Sequence, residues 1–544
     1  MIYRILLVCL LFTGTVSAQR NDVVEDETSS NYNLNKPERE EWLRNTGAGL
    51  FIHFNVDAQL GVVISHSLVG ASDDYTDRYF SELPKTFDPS SFNPKEIAEL
   101  AKLAGMKYIV FTTKHHAGFC FWDTKTTDFK ITNTPYKKDL LKEFVKATRE
   151  AGLDVGFYFS PEDFNFLYKH KIPISRNIAS LDEATKKEYA AYNRKQTEEL
   201  MQNYGKVDVL FIDGDPKEAV KETAWKMQPD ILITRGAILT PEQTLPGAKI
   251  TQPWLSPITI GTAWQYQPTN ERYKSGSQLI ELLIEARAKG GSLLLNVGPK
   301  ANGTLPNEQE DRLREMGAWY FINHESMDHV RSWVVSKEQN IYFTQKAPGT
   351  LFAIVMDAKN WKEGERKTFL LKSARATANT KISVLGQNGK IIEYKPNLDV
   401  SSRFKQTANG LELSVVKAQR IYDDHRWPNP VVIKLENVEP VFTEAAMVQS
   451  GDYKVAAGVA TLNGKVLNHA KIKPERARFY YRPYLGQVET LYAEAWKMSP
   501  WVNIKADGTF SGTLKLPKGA YEYKAIVEQQ SVIIEGENKV LNLP

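Results

Sequence analysis

Between about residue 45 and residue 330, short apolar segments alternate regularly with amphipathic helical segments. The apolar segments are hydrophobic throughout rather than at every second position, which indicates parallel strands buried on both faces. About seven such units fit into this length, so we predict a (β/α) barrel rather than an open doubly wound sheet. Residues 236–275 lack the pattern, and we expect the barrel to be distorted there.

Hydrophobic periodicity and helix-capping residues predict the individual helices and strands of this region. The helix predicted at 93–105 has Asn93 as its N-cap, Pro94 in its first turn and Gly105 at its end. The other predicted helices are 137–152, 186–205 and 277–291. The predicted strands are 47–54, 107–113, 153–160, 207–213, 230–235 and 292–298.

The helical period disappears after residue 335. Residues 336–436 contain short alternating runs separated by Gly and Asn turns, which is typical of a β-sandwich. Residues 437–544 continue in the same manner. We therefore predict an α/β fold in which a distorted (β/α) barrel at 38–335 is followed by a β-sandwich and a further all-β module.

The amino terminus predicts export. In "MIYRILLVCLLFTGTVSAQR", one positive charge at Arg4 precedes a short apolar stretch and a small-residue site ending at Ala18. This is typical of a cleavable signal peptide at 1–18, so we expect a secreted or periplasmic protein with a flexible segment at 19–37. Cys120 would then be the only cysteine, which excludes an internal disulfide.

Composition and motifs argue against several classes of partner. The net charge of +4 is small for 544 residues, and no basic block of the kind that binds nucleic acid is present. No stretch after the signal peptide is apolar enough to cross a bilayer. Neither GxGxxG nor GxxxxGK follows the first predicted strand, which argues against a nucleotide site.

Polar and aromatic side chains gather at the predicted carboxyl ends of the strands, where barrel enzymes carry their active sites. These residues are His53, Lys114, His115, His116, Tyr158, Ser160, Asp213, Arg235, Trp264 and Tyr266. Neutral imidazoles can bind zinc, but neither HExxH nor paired cysteines accompany them, so we interpret the histidines as hydrogen-bonding groups for a neutral polyol. Asp213 could instead cap a helix, and Arg235 could simply pair with a carboxylate.

Several long motifs carry a family resemblance. "GLFIHF", "GMKYIVFTTKHHAGFCFWDTKTTDF", "GFYFS", "DVLFIDG" and "GGSLLLNVGPKANGTLP" occur in the order in which they occur in family 29 glycoside hydrolases, the α-L-fucosidases, and the chain resembles that family over residues 38–436. The resemblance implies a retaining exo-glycosidase that acts on a fucosylated oligosaccharide or polysaccharide, with no metal or organic cofactor, no nucleic-acid partner and no membrane insertion. It also implies that Asp213 is the nucleophile, that His53, His115, His116, Tyr158 and Arg235 bind the sugar, and that Trp264 covers its C5 methyl group.

Two departures from the family pattern matter. Phe54 is followed by Asn55-Val56-Asp57 where the family usually has an aromatic residue and a glycine, so we expect the rim of the site to be reshaped. Leu255 stands where the family usually carries a glutamate after tryptophan, the position at which we expect the acid/base. Glu162, Asp163 and Glu271 are the nearest substitutes by topology, although each could be a solvated loop charge.

These departures leave two other functions open. The chain could be a catalytically impaired fucose-binding protein on the same scaffold. It could also be an α-L-galactosidase, because α-L-galactose differs from fucose only by a hydroxyl group at C6.

Overall fold

The computed structural model describes residues 33–346, 349–421, 427–456, 458–486 and 494–544. The predicted signal peptide at 1–18 and residues 19–32 of the predicted flexible segment lie outside these residues. The described end of that segment is held against the barrel, because the Asn35 side chain exchanges hydrogen bonds of 2.8 Å with the backbone N–H and C=O of Ile233.

The first part of the chain forms a curled sheet of seven parallel strands in the order β5-β4-β3-β2-β1-β7-β6. The strands are β1 Ala48–Ile52, β2 Tyr108–Lys114, β3 Asp154–Phe159, β4 Val209–Ile212, β5 Leu232–Ile233, β6 Leu255–Thr259 and β7 Ser292–Val297. In the described structure β5 and β6 share no ladder, and an isolated bridge between Leu239 and Trp254 spans the seam between them. The predicted barrel and its distortion at 236–275 are therefore confirmed, although β6 inside that segment was not predicted.

Helices surround this sheet and connect its strands. They are α1 Pro37–Thr46, α2 Asp73–Ser81, α3 Leu83–Thr86, α4 Pro94–Leu103, α5 Leu140–Glu150, α6 Phe164–Lys169, α7 Glu183–Asn203, α8 Lys217–Met227, α9 Gly276–Ala288 and α10 Asn307–Asn323. The Asn93 side chain accepts a hydrogen bond from the Glu96 backbone N–H, as its predicted N-cap role requires. In the described part of the chain, no helix combines the length and the apolar character that a membrane span needs.

A compact apolar layer fills the interior of the barrel. Phe51, Tyr158, Phe211, Leu255 and Leu294 belong to it, together with Leu43 of α1. Gly49 leaves room for the Tyr108 ring, since a Cβ atom at residue 49 would lie 2.4 Å from that ring. Helix α1 packs against the amino end of the barrel, where its Trp42 contacts Tyr108 at 5.4 Å between ring centroids. Polar side chains at the carboxyl ends of the strands therefore face the open end.

Among the described residues after 330, the regular structure is all-β, as predicted. A sandwich is built from the sheets β12-β15-β10-β9-β8 and β11-β14-β13. Its strands are β8 Arg331–Glu338, β9 Ile341–Lys346, β10 Thr350–Val355, β11 Arg366–Leu371, β12 Ala374–Val384, β13 Arg403–Thr407, β14 Gly410–Val416 and β15 Val431–Pro440. An apolar core that includes Trp333, Phe343, Leu413 and Ile433 lies between the two sheets.

A second pair of antiparallel sheets follows, ordered β16-β17-β20 and β19-β18-β21-β22, with β23 also paired to β21. Its strands are β16 Val448–Ala456, β17 Val459–Val466, β18 Arg476–Pro483, β19 Lys497–Met498, β20 Thr509–Lys515, β21 Gly519–Gln529, β22 Val532–Glu535 and β23 Lys539–Leu543. Leu462, Phe479, Phe510 and Tyr523 form part of its own core. We refer to residues 443–544 as the C-terminal module.

Candidate active site at the open end of the barrel

Asp213 follows β4 and lies at the centre of the open end. Its Oδ2 atom accepts a hydrogen bond of 2.8 Å from the Tyr158 hydroxyl, and its Oδ1 atom accepts one of 3.1 Å from Nη1 of Arg235. Nε2 of His116 lies 3.6 Å from Oδ2. Burial favours the protonated acid, but the positive charges of Arg235 and Arg176, with the hydrogen bond from Tyr158, outweigh it and hold the pKa of Asp213 well below its usual range. The carboxylate is therefore ionised and oriented at neutral pH.

Asp213 does not serve as the cap of the following helix. Helix α8 begins at Lys217, its N-cap residue is Pro216, and no side-chain hydrogen bond caps it. The carboxylate oxygens of Asp213 instead bind groups that arrive from β3 and from the end of β5.

Three histidines surround this carboxylate with their Nδ1 atoms already engaged. Nδ1 of His53 donates to Oδ1 of Asn296 at 2.6 Å, and Nδ1 of His115 is hydrogen-bonded to Oγ of Ser65 at 2.8 Å. Nδ1 of His116 is hydrogen-bonded to Oγ of Ser160 at 2.6 Å. Burial lowers the pKa of His53 to about 4 and that of His116 to about 3, and it holds the pKa of His115 well below its usual range. All three rings are thus neutral at neutral pH and can bind hydroxyl groups.

Aromatic rings form one side of the same pocket. The His53 ring lies 4.9 Å from that of Trp264 and 5.2 Å from that of Tyr158, and His115 stacks on Tyr158 at 5.3 Å. Asn296 positions two of these groups, because it binds His53 and also donates a hydrogen bond of 2.7 Å to the backbone oxygen of Trp264. Asn296 was not among the predicted residues, although a polar residue near the end of the apolar strand β7 was a visible signal.

The other residues that sequence reasoning missed come from loops. The His66 ring lies 5.3 Å from that of His116. Nη2 of Arg176, from the loop before α7, lies 3.9 Å from Oδ1 of Asp213. Oε2 of Glu242, from the loop after β5, accepts a hydrogen bond of 2.7 Å from Arg235. No period or motif marks these loop positions in the sequence.

Glu162 is the predicted substitute acid that the structure brings to Asp213. Its Oε2 atom accepts a hydrogen bond of 2.8 Å from Nε of Arg176 and lies 3.2 Å from Nδ1 of His116. Its carboxyl group also packs on Gly214, where a Cβ atom would lie 2.6 Å from it. Burial raises the pKa of Glu162 to about 7, against the opposing effect of Arg176. Glu162 is therefore a buried carboxyl that can carry a proton at neutral pH, not a solvated loop charge.

Asp163 and Lys114 lie behind the sheet rather than at the open end. They form a fully buried ion pair of 3.2 Å, and Asp163 also caps α6 by accepting a hydrogen bond of 2.8 Å from the Phe166 N–H. Nζ of Lys114 donates a second bond, of 2.8 Å, to Gln196 of α7. Asp163 is thus engaged in a structural ion pair, which differs from the solvated loop charge that the sequence suggested.

Glu271 is engaged within the loop between β6 and α9. Its Oε1 atom accepts a hydrogen bond of 2.7 Å from the Thr262 hydroxyl and further bonds from the backbone N–H groups of Thr262 and Arg272. These bonds stabilise the loop that carries Trp264.

Leu255 lies at the other end of the barrel. It is the first residue of β6, pairs in register with Ser292 at the start of β7, and is completely buried in the apolar layer with Leu43. Thr259, at the carboxyl end of β6, is four residues further on, a distance of about 13 Å along a strand. A glutamate at 255 would therefore be buried at the base of the barrel, and the leucine is not evidence against an acid near Asp213.

Some of these residues could also hold a metal ion. His115, His116 and Asp213 each offer one ligand atom, and these atoms all lie within 4.8 Å of one another. Arg235 and Arg176 flank the same carboxylate, however, and their positive charges oppose a divalent cation there. The charge pattern of the site favours an uncharged ligand.

Comparison with known proteins finds similarity to α-L-fucosidases. The α-L-fucosidase family model matches residues 14–325. The α-L-fucosidase of Dictyostelium discoideum is 26% identical over 383 residues, covering 64% of this chain and 79% of that protein. The plasma α-L-fucosidase of Rattus norvegicus is 27% identical over 341 residues, covering 55% of this chain and 70% of that protein.

Solved structures show the same fold. α-L-Fucosidase isoenzyme 1 from Paenibacillus thiaminolyticus has a TM-score of 0.59 at 28% identity, covering 74% of this chain and 99% of that one. The Thermotoga maritima α-fucosidase has a TM-score of 0.58 at 26% identity, covering 73% and 96%. With a matching family model over more than half of its length, the chain belongs to the α-L-fucosidase family, family 29 of the glycoside hydrolases.

Proposed function

We propose that the protein is an exo-acting, retaining α-L-fucosidase that removes terminal α-L-fucose from glycans, with Asp213 as its nucleophile. The observation that carries this proposal is the placement of an ionised, oriented Asp213 beside Glu162, a carboxyl group whose pKa is raised to about 7. Two carboxyl groups with opposite protonation states in one pocket are the arrangement that glycosidases need for an acid and a nucleophile.

In this mechanism Asp213 attacks the anomeric carbon while the glycosidic bond breaks. We assign the role of acid/base to Glu162, which would donate its proton to the leaving oxygen and then, as a base, activate the water that releases fucose. The hydrogen bonds from Tyr158 and Arg235, one to each carboxylate oxygen, hold the orientation of Asp213. Arg176 and His116 contact both carboxyl groups, which supports their acting on the same bond.

The remaining groups suit a deoxy sugar. The neutral imidazoles of His53, His115 and His116 can exchange hydrogen bonds with hydroxyl groups without the desolvation cost of a buried charge. The Trp264 face offers an apolar contact for a methyl group at C5. An α-L-galactosidase would need the same groups and also a partner for the hydroxyl at C6.

The decisive experiment follows the anomeric configuration of the first product. An aryl α-L-fucoside and the matching aryl α-L-galactoside would be incubated with the protein and followed by proton NMR. We expect the fucoside to react faster and the α-anomer of fucose to form first. First formation of the β-anomer would indicate inversion and would remove Asp213 as a nucleophile. Fucose binding without turnover of either substrate would indicate the binding-protein alternative.

Variants of the carboxyl residues complete this test. We expect Asp213→Asn to abolish turnover while the protein stays folded, with some loss of thermal stability because Arg235 and Arg176 lose their negative partner. Glu162→Gln should slow the reaction of substrates with poor leaving groups by about 10² to 10⁴ and should affect activated aryl fucosides less. Glu242→Gln is the matched control, because Glu242 also lies at the open end but pairs with Arg235. A larger loss in Glu242→Gln than in Glu162→Gln would reassign the acid.

We also propose that the protein is exported and that residues 1–18 are removed. Amino-terminal sequencing of the protein recovered from the periplasm or medium tests this, and we expect Gln19 as the first residue. An intact Met1 would contradict it.

A further inference from the structure

A second cavity, of about 1080 Å³, lies where the barrel, the sandwich and the C-terminal module meet. The barrel contributes residues 243–252 and the carboxyl half of α9, the sandwich contributes β8, and the C-terminal module contributes β18, β21 and β22. Asp213, Glu162 and the three histidines are not among the residues that line it. A disaccharide and its hydration water would fit into this volume.

Positive charge exceeds negative charge in this cavity. Lys337 lies 3.2 Å from Glu535, Lys524 lies 2.5 Å from the other oxygen of the same carboxylate, and Lys289 pairs with Glu285. Three ammonium groups thus face two carboxylates. Lysine and arginine side chains also outnumber glutamates over the whole lining.

Bonds between the modules explain only part of this excess, since Lys249 donates to the backbone oxygen of Trp333 and Lys337 pairs with Glu535. A buried ion pair contributes little net stability, and a buried cation without a matching anion is costly. The side chains of Lys289 and Lys524 are each 5% exposed. Burial together with the charges of Lys337 and Lys289 lowers the pKa of Lys524 to about 8, even though Glu535 opposes this. An anionic ligand would supply the missing negative charge.

The same cavity carries groups that suit a sugar ring. Trp496 lines it beside Arg482 and Lys524, whose cationic groups lie 4.3 and 4.5 Å from its ring centroid. Oδ1 of Asn538 is buried and has no hydrogen-bond partner among the described residues, so it can accept a bond from a hydroxyl group. Combined with the excess positive charge, these groups favour an acidic sugar over a simple anion.

We propose that this three-way junction is a second carbohydrate-binding site, separate from the catalytic pocket, that takes an oligosaccharide bearing a uronic acid. The carboxylate would lie against Lys524 and Lys337, and sugar hydroxyls would reach Asn538 and Arg482. Bound there, an acidic polysaccharide would be retained while the open end of the barrel acts on its branches. The site itself does not depend on the proposed fucosidase activity.

Calorimetric titration of the full chain with digalacturonate tests the proposal, with galactobiose as the neutral sugar and citrate as the non-sugar carboxylate. We expect binding of digalacturonate that is at least about tenfold tighter than that of either control. Equal binding of galactobiose would show that charge is not recognised, and equal binding of citrate would show that the sugar is not. Either result, or no binding of digalacturonate at millimolar concentration, would overturn the proposal.

Variants locate the binding. Lys524→Met and Trp496→Ala should each weaken digalacturonate binding about tenfold or more, whereas Lys515→Met, an exposed lysine of the same module, should not. If Lys524→Met unfolds, Trp496→Ala carries the test. Hydrolysis of an aryl fucoside should be unchanged in these variants, so the two proposals fail separately. Unweakened binding in a folded Trp496→Ala variant would place the ligand elsewhere and overturn the assignment.

Discussion

Arg176 donates a hydrogen bond of 2.8 Å from its Nε atom to Oε2 of Glu162. The same guanidinium places Nη2 3.9 Å from Oδ1 of Asp213, so one positive charge faces both carboxyl groups of the site. Burial dominates at Glu162 and raises its pKa to about 7, whereas the neighbouring cations dominate at Asp213 and keep its pKa low. The two carboxyl groups are therefore in different protonation states at mildly acidic to neutral pH.

The first prediction is the pH profile of kcat/KM. Glu162 must carry a proton to act as the acid, so activity should fall as the pH rises through its pKa, with an alkaline limb near pH 7. The pKa of Asp213 lies below the usual range of a carboxyl group, so Asp213 should stay ionised above about pH 4. Its titration should therefore cause no loss of activity on the acidic side above that pH. Initial rates on an aryl fucoside between pH 4 and 9 check both limbs. A value of kcat/KM that increases as the pH is raised through 7 would contradict the role of Glu162 as the acid.

Arg176→Gln should move the alkaline limb. Removing the positive charge destabilises the ionised form of Glu162, so its pKa should rise and the limb should shift upward by about one pH unit. Arg194→Gln is the matched control, because Arg194 lies on α7 and pairs with Glu222 instead. A limb that stays in place, or moves downward, would show that Arg176 does not set the titration of the acid.

Leu255→Glu should destabilise the protein and should not improve catalysis. The new carboxyl group would be buried among apolar side chains at the amino end of the barrel, which costs several kcal/mol unless it takes up a proton. Leu255→Met, which conserves volume, should cost less than about 1.5 kcal/mol. Thermal denaturation of both variants and rates on an unactivated fucoside check this. A faster reaction of Leu255→Glu without loss of stability would show that position 255 is the acid/base position.

Lys114→Met should be strongly destabilising, because it leaves the Asp163 carboxylate buried without its partner. We expect a loss of about 3–5 kcal/mol in the free energy of unfolding. The double variant Lys114→Met/Asp163→Asn should recover part of this loss, because it removes both charges together. Denaturant unfolding of the two variants measures the difference. Equal stability of the single and double variants would mean that the charges of Lys114 and Asp163 do not interact energetically.

His116→Ala should reduce kcat/KM for aryl fucosides and weaken inhibition by fucose-like iminosugars, each by about 10- to 100-fold. The reason is that His116 lies between Asp213 and Glu162 and offers a neutral ring to the sugar. His324→Ala, at the exposed C-cap position of α10, is the control. Unchanged inhibition would place His116 outside the sugar pocket. Activity that requires added zinc and disappears with chelator would instead assign the histidines to a metal.

Some residues of the site could be predicted from the sequence and others could not. His115, His116, Asp213 and Arg235 could be grouped in advance, because the carboxyl ends of parallel strands meet at one end of a barrel. Lys114 was grouped with them incorrectly: the ladder between β2 and β3 shifts register between Thr112 and Lys114, and the lysine lies behind the sheet with Asp163. Spacing within a motif also could not show that Leu255 lies at the start of a strand rather than at its end.

Hydrophobic periodicity was enough to predict the class of fold and the strand ends at which polar groups gather, because it is a local property that a few neighbouring residues establish. Only the tertiary structure brought His66, Arg176 and Glu242 to the same pocket, since the loops that carry them have no period and their paths depend on packing. It also decided which carboxyl group is ionised. Burial and charge at Glu162 and Asp213 come from residues far apart in the chain, and a pKa depends on those neighbours rather than on the residue type.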